Sequence, residues 1–598
     1  MATTSFLSST AIFFISLSVI SLLPSAYSAD FSVGYKESAV PKSDLDLLEF
    51  PLNLEYLEAE FFLFGALGYG LDKVEPSLAE GGPSPIGGKK ANLDTVTGDI
   101  ILQFAYQEVG HLKAIKKTVK GFPRPQLDLS ASLFAKVIDK AFGKPLNPPF
   151  DPYANSINFL IASYLIPYVG LTGYVGANPK LQGAISKRLV AGLLGVESGQ
   201  DAVIRALLYE HATENVSPYQ IVVAEFTNRI SDLRNKLGHT DSKDEGLIVP
   251  VDFGAEGKVV GNVLAGDEFS VAFDRTPEEI LRIVYGTGNE SIPGGFFPKG
   301  ANGNIAKSHL QNFSVGYNES AVPKSDLDLL EFPLNLEYLE AEFFLFGALG
   351  YGLDKVEPSL AEGGPSPIGG KKANLDTVTG DIILQFAYQE VGHLKAIKKT
   401  VKGFPRPQLD LSASLFAKVI DKAFGKPLNP PFDPYANSIN FLIASYLIPY
   451  VGLTGYVGAN PKLQGAISKR LVAGLLGVES GQDAIIRALL YQHLAENVSP
   501  YQLNVAEFAN VITNLRNDLG HTDSDEGLIV SVDFGAEGKV VGNVLAGDKF
   551  SLAFDRTPEE ILRIVYGTGN ESIPGGFFPK GANGNIAKSH LQSAKLYN

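Results

Sequence analysis

The chain has 598 residues, a formal charge of −15 and no cysteine. That length exceeds one ordinary domain, and the missing cysteines exclude disulfides, thiolate metal sites and cysteine nucleophiles. The acidic balance argues against nucleic acid as a partner, because such binding relies on Lys and Arg to neutralise phosphates.

The first residues hold an apolar run that ends in small residues, with Ala26 and Ser28 suited to the −3 and −1 positions of a signal-peptidase site. Residues 1–28 therefore read as a secretory signal, and no transmembrane segment is expected once it is removed. From Phe31 the text repeats. "FSVGY" recurs at Phe313, a shift of 282 residues that becomes 281 after the missing counterpart of Lys243. A period this long is a duplicated domain and not a solenoid repeat. The expected units are a bundle over 31–239 with an extension over 240–312, then a bundle over 313–521 with an extension over 522–598. Asn-x-Ser sequons at Asn289, Asn312, Asn318 and Asn570 are candidate glycosylation points.

Within one copy, Ser43-Asp44 open a helical pattern with Leu48, Leu52, Glu55, Ala59 and Phe62 on one face and a bend at Pro51. Glu58 and Glu60 fall off that face and read as solvated or lysine-paired. A Pro/Gly-rich loop follows, without the spacing of a phosphate-binding loop. Asp94 caps a second helix to Val119, striped by Ile101, Phe104, Ala105, Glu108, His111, Leu112 and Ile115. After a short helix near 130–142, a third runs from Pro152 to Tyr174 with a kink at Pro167. A fourth runs from about Pro179 to Glu214 and carries Glu197 and Gln200 in its stripe. Ser217-Pro218 open a fifth. Beyond Thr240, "GLIVPVDF" and "FSVAFDR" read as short strands and "TPEEILRIVYG" as a short helix capped by Thr276. Long helices with a wrapping tail make an all-α four-helix bundle in each copy.

Three of these helices place a carboxylate in an apolar stripe, and buried carboxylates are costly unless paired, hydrogen-bonded or metal-bound. Glu55, Glu108 with His111, and Glu197 with Gln200 follow the layout of di-iron carboxylate bundles, which take a Glu from two helices and Glu-x-x-His from the other two. The second copy repeats them as Glu337, Glu390, His393, Glu479 and Gln482. Two features depart from that layout. Gln200 stands where the second His is expected, and no Asp or Glu lies between Asp151 and Glu197.

"LLEFPLNLEYLEAEFF", "YQEVGHL", "YVGLTGYVGANP" and "RTPEEILRIVYGTGNESIPGGFFPKGANG" together resemble the plant desiccation-related, ferritin-like protein family. The resemblance implies a ferritin-like four-helix bundle, here in tandem, in an exported protein associated with stress and drying; the expected destination is the apoplast or cell wall, with the vacuole as the alternative. The incomplete donor set favours a degenerate di-metal site without cofactor and a protective or binding, non-enzymatic role. The alternative is one Fe or Mn ion per copy, serving a metal-dependent oxidase or ferroxidase or simple metal binding. The two bundles are candidates for association with each other.

Overall fold

The computed structural model describes residues 40–240, 246–309, 321–523 and 527–593. The signal segment and the sequons at Asn312 and Asn318 lie outside the described residues. Asn289 and Asn570 are exposed.

Helix boundaries follow local chemistry. Pro51 has no amide hydrogen to continue α1 (Lys42–Glu49), and it becomes the cap from which α2 (Leu52–Leu67) starts. Gly68, at φ 83°, closes α2 in the left-handed conformation that glycine adopts most readily. Asp94 accepts the Thr97 amide at 2.9 Å and opens α3 (Thr95–Thr118). Ser130 caps α4 (Ala131–Phe142). The third bundle element is broken into α5 (Ser156–Ser163) and α6 (Pro167–Ala177) at the proline. It continues into α7 (Ala184–Glu210), α8 (Val223–Gly238) and α9 (Pro277–Val284), the last with a capping box between Thr276 and Glu279. The second copy repeats the order as α10 (Lys324–Glu331), α11 (Leu334–Leu349), α12 (Thr377–Thr400), α13 (Ala413–Phe424), α14 (Ser438–Ser445), α15 (Pro449–Ala459), α16 (Ala466–Gln492), α17 (Val505–Gly520) and α18 (Pro558–Tyr566).

In each copy the first bundle helix packs on the second, and the broken third packs on the long fourth. Two stretches, Ser156–Lys180 and Ser438–Lys462, are long and apolar enough to cross a membrane, yet 89% of each apolar window is buried inside the protein. They are bundle core.

The two bundles pack on one another through α7 and α16, and several links between them are met by their counterparts. Asn178 donates to the Asn460 side chain at 2.9 Å and Asn460 returns a bond of 2.9 Å. Lys187 caps the Leu463 carbonyl at 2.7 Å, and Lys469 that of Leu181 at 2.8 Å. Ser198 donates to Gly477, and Ser480 to Gly195. The arrangement is a pseudo-two-fold pair within one chain.

The extensions are exchanged across this pair. Val263 donates its amide to Gln385 on the other copy's α12 at 2.8 Å, and Val544 donates to Gln103 on α3 at 2.8 Å. Ala272 bonds the Gly474 carbonyl and Ala553 that of Gly192. Arg275 then returns to its own bundle, its amide bonded to Thr172 at 2.9 Å. This corrects the expectation of short strands: among the described residues the extension holds single bridges such as Ile248 with Gly261, and 3-10 turns at Val251–Phe253 and Ala255–Gly257. Leu247 and Val249 bond Asn262 and Val260 of the same extension, and other backbone groups meet helices of both copies, so the pairing never grows into a ladder.

Candidate metal centre

The bundle packing brings Glu55 from α2, Glu108 and His111 from α3, and Glu197 from α7 together, each offering a ligand atom within 4.8 Å of the others. All four are buried. His111 Nδ1 lies 3.1 Å from Glu55 Oε2, 3.4 Å from Glu108 Oε1 and 3.1 Å from Glu197 Oε1. In the second copy His393 stands at 3.2, 3.4 and 3.2 Å from Glu337, Glu390 and Glu479. His111 Nε2 is 3.1 Å from the Ser551 carbonyl. A carbonyl only accepts, so Nε2 carries the hydrogen and Nδ1 is the atom turned toward the carboxylates.

Neighbouring groups fix the carboxylates. Tyr174 on α6 donates its hydroxyl to Glu55. Gln200, one turn beyond Glu197, donates its amide to Glu108 Oε1 at 2.6 Å and to Gln107 Oε1 at 3.2 Å. Arg205 instead holds its own copy's extension through the Val263 and Asn262 carbonyls.

Two expectations on α2 need correction, because Glu58 and Glu60 are both buried. Nearly every residue from Leu52 to Leu63 is buried, so this helix has no solvent face for them to use. Glu60 is ion-paired with the buried Arg124. Glu58 turns into the centre. Its strongest charged neighbours are Glu197, Glu108 and Glu55, and neither of its carboxylate oxygens has a hydrogen-bond partner. On the broken third element, Gly170 stands beside it: a Cβ there would lie 3.3 Å from Glu58 Oε1 and 3.3 Å from Glu197 Oε2. The carboxylate missing from the third element is thus supplied by α2, and a glycine makes room for it. The signal was present in the text. Glu55-x-x-Glu58, Glu108-x-x-His111 and Glu197-x-x-Gln200 share one spacing, which stacks each pair on one helix face.

The electrostatics are those of a site short of positive charge. Burial, then the neighbouring carboxylates, push Glu58 and Glu108 well above the usual range. Burial, then Glu55, push Glu197 up to about 7. Burial pulls His111 down, but the charges of Glu108 and Glu55 outweigh it and hold the imidazole well above its ordinary value. Both oxygens of Glu58, Oε2 of Glu108, Oε2 of Glu197 and Oε1 of Gln200 are buried without a partner. Unsatisfied buried acceptors cost about 1–3 kcal/mol each, more when charged. Carboxylate and imidazole donors with such orphaned oxygens fit a divalent cation of the Mn or Fe type.

A narrow cavity reaches the second copy's centre. It measures about 30 Å³ and runs from the half-buried Gly455 and Gly458 to Glu337, Glu340 and Glu479. Its counterpart in the first copy, also about 30 Å³, is lined by Gly170, Gly173, Tyr174 and Gly176 of α6 and stops short of that copy's glutamates. That is room for a water-sized molecule. A Cβ on Gly173 would come within 2.8 Å of Ile280 Cδ1, so the glycine face of α6 keeps the passage open.

Comparison with known proteins agrees with this geometry. A ferritin-like domain model matches residues 43–210 and 325–492, together more than half of the chain. The desiccation-related protein PCC13-62 of Craterostigma plantagineum is 63% identical over 269 residues, 45% of this chain and 86% of that protein. The ferritin-like catalase Nec2 of Nesocodon mauritianus is 60% identical over 273 residues, 46% of this chain and 88% of that protein. One copy here therefore corresponds to nearly the whole of either relative. No solved structure matches. The chain belongs to the ferritin-like family, carries its domain twice, and is related to the desiccation-related proteins.

Proposed function

We propose that each copy holds a redox-active Mn or Fe centre and disproportionates hydrogen peroxide, two molecules giving two of water and one of dioxygen. The observation that carries this reading is the set of orphaned buried oxygens around Glu58, which supplies the carboxylate whose absence had pointed to a degenerate, non-enzymatic site. Glu55, Glu108, His111 and Glu197 would hold one ion. Glu58, with the free oxygens of Glu108 and Glu197, offers donors for a second. A metal bound there supplies the electron exchange between the two peroxides. The protein's part is to hold the donors still: Tyr174 fixes Glu55, Gln200 fixes Glu108, and the Ser551 carbonyl fixes the tautomer of His111. A passage of about 30 Å³ favours a substrate as small as peroxide over an organic one. The catalase named among the relatives supports the same choice. The signal-like residues 1–28 support an exported location, where removal of peroxide would serve a drying tissue.

The test is elemental analysis of purified protein together with an oxygen electrode. The reading expects stoichiometric Mn or Fe and dioxygen release from peroxide, both lost in the Glu108→Ala, Glu390→Ala variant. Protein that stays metal-free when supplied with Mn(II) and Fe(II), and releases no dioxygen, overturns it in favour of a non-enzymatic protective role. Rapid oxidation of Fe(II) without dioxygen release from peroxide points instead to a ferroxidase.

A further inference from the structure

We propose that each metal centre is assembled in trans: a turn in one copy's extension positions the histidine of the other copy, so neither copy builds a working centre alone. The inference rests on the metal reading above for its first readout and on the protein alone for its second.

The turn is Asp548–Leu552. The Asp548 amide donates to the Leu552 carbonyl at 2.8 Å, and the Ser551 amide to the Asp548 carbonyl at 2.7 Å. Asp548 Oδ1 accepts the amides of Phe550 at 2.8 Å and Leu552 at 3.1 Å. This folding holds Ser551 at φ 57°, a left-handed conformation unusual for a residue with a side chain. In that conformation its carbonyl meets His111 Nε2 of the first copy at 3.1 Å. Asp267, Phe269, Ser270 and Val271 of the first copy repeat the turn, with Ser270 at φ 57° and its carbonyl 3.1 Å from His393 Nε2.

A second observation, on the receiving helix, points the same way. Gly110 immediately precedes His111, and a Cβ on it would lie 2.7 Å from the Phe550 carbonyl oxygen. At Gly392, before His393, a Cβ would lie 2.5 Å from the Phe269 carbonyl oxygen. In "EVGH" the glycine thus admits the other copy's backbone, and the histidine uses it. Ion pairs of Lys113 with Glu537 and of Lys395 with Glu256 hold the same contact from the other side. A ligating imidazole whose second nitrogen is anchored keeps its tautomer and its aim, and losing such an anchor typically weakens metal affinity by ~10–100-fold. Ser551 and Asp548 are positioning residues for His111, as Ser270 and Asp267 are for His393.

The crossed wiring makes the proposal testable by pairing variants in the full chain. Asp548→Ala with His111→Gln damages one centre twice and is expected to keep half of the wild-type metal. Asp548→Ala with His393→Gln damages both centres and is expected to lose metal affinity at both. The reverse pattern, or equal loss in the two pairs, overturns the proposal. Asp548→Asn retains the accepting oxygen and is expected to restore metal in the His393→Gln background; failure to do so counts against the turn as the cause. The second readout needs no metal. In ring-¹⁵N-labelled His393→Gln protein, the protected Nε2–H signal of His111 should vanish with Asp548→Ala and persist with Asp267→Ala. Its persistence in both overturns the proposal even if the wild type binds no metal.

Discussion

Glu58 and Glu60 stand two residues apart on α2, equally buried, and they resolve their charge in opposite ways. Glu60 is met by Arg124, whose guanidinium also reaches Asp72 at 2.8 Å, and by the Leu71 amide at 3.2 Å. Burial pushes Glu60 upward, Arg124 opposes it, and the carboxyl settles at about 6. Glu58 has no such partner: Glu197, Glu108 and Glu55 push it further up, and the opposing pull of His111 is weaker than any of them. A buried acid that the protein neutralises with its own guanidinium is part of the scaffold. A buried acid set mainly among other acids is the kind of group that the proposed cation would neutralise.

That contrast can be broken by substitution, and the largest effect belongs to the scaffold side. Arg124→Met leaves Glu60 buried and uncompensated, so stability should fall by about 3–5 kcal/mol in urea unfolding while bound metal per folded chain stays unchanged. Glu58→Gln should do the reverse. Metal affinity drops by at least ~10-fold, and metal-free protein becomes more stable by about 1 kcal/mol because an amide needs no proton to be neutral. Metal-free Glu58→Gln protein that melts lower than wild type would erase the distinction between the two glutamates. A smaller effect is expected at the passage. Gly173→Ala presses on Ile280 and should slow peroxide turnover severalfold with metal content intact.

The smallest effect is at Asp94, a carboxylate near the surface whose charge is held by hydrogen bonds from Ser156 and Thr97. Burial raises it, but bonds from Ser156 and Thr97 outweigh that and hold it below the usual aspartate range. Its stabilisation is therefore complete above about pH 4, the ordinary aspartate value, and is lost as pH falls through the lowered folded value. Asp94→Ala should cost about 1 kcal/mol near neutrality, and the difference from wild type should close in acid.

Much of the scaffold was legible because its signals are local. Pro51 and Pro167 break helices by lacking a donor, and Asp94 and Thr276 cap them with side chains of known reach. Glu55, Glu108, His111 and Glu197 were legible because helical spacing puts them in apolar stripes. Glu58 was not, because the stripe argument assumes that a helix has a wet side, and α2 has none. The exchange of the extensions was hidden for a different reason. The two copies are so nearly identical that a tail fits its own bundle and its neighbour's alike by sequence, and only the three-dimensional path of residues 246–275 separates the two. The β-branched residues of "GLIVPVDF" suggested a strand, but the pairing with Val260 and Asn262 is confined to a single bridge.

The reciprocal bonds between Asn178 and Asn460 join surfaces that are both encoded in one polypeptide. For single copies, such a pairing would be second order, and dilution would dissolve it. Carried on one chain, the same pairing becomes intramolecular, with an effective concentration on the order of millimolar. The pair, and whatever it holds, is then expected to survive dilution that would separate independent subunits.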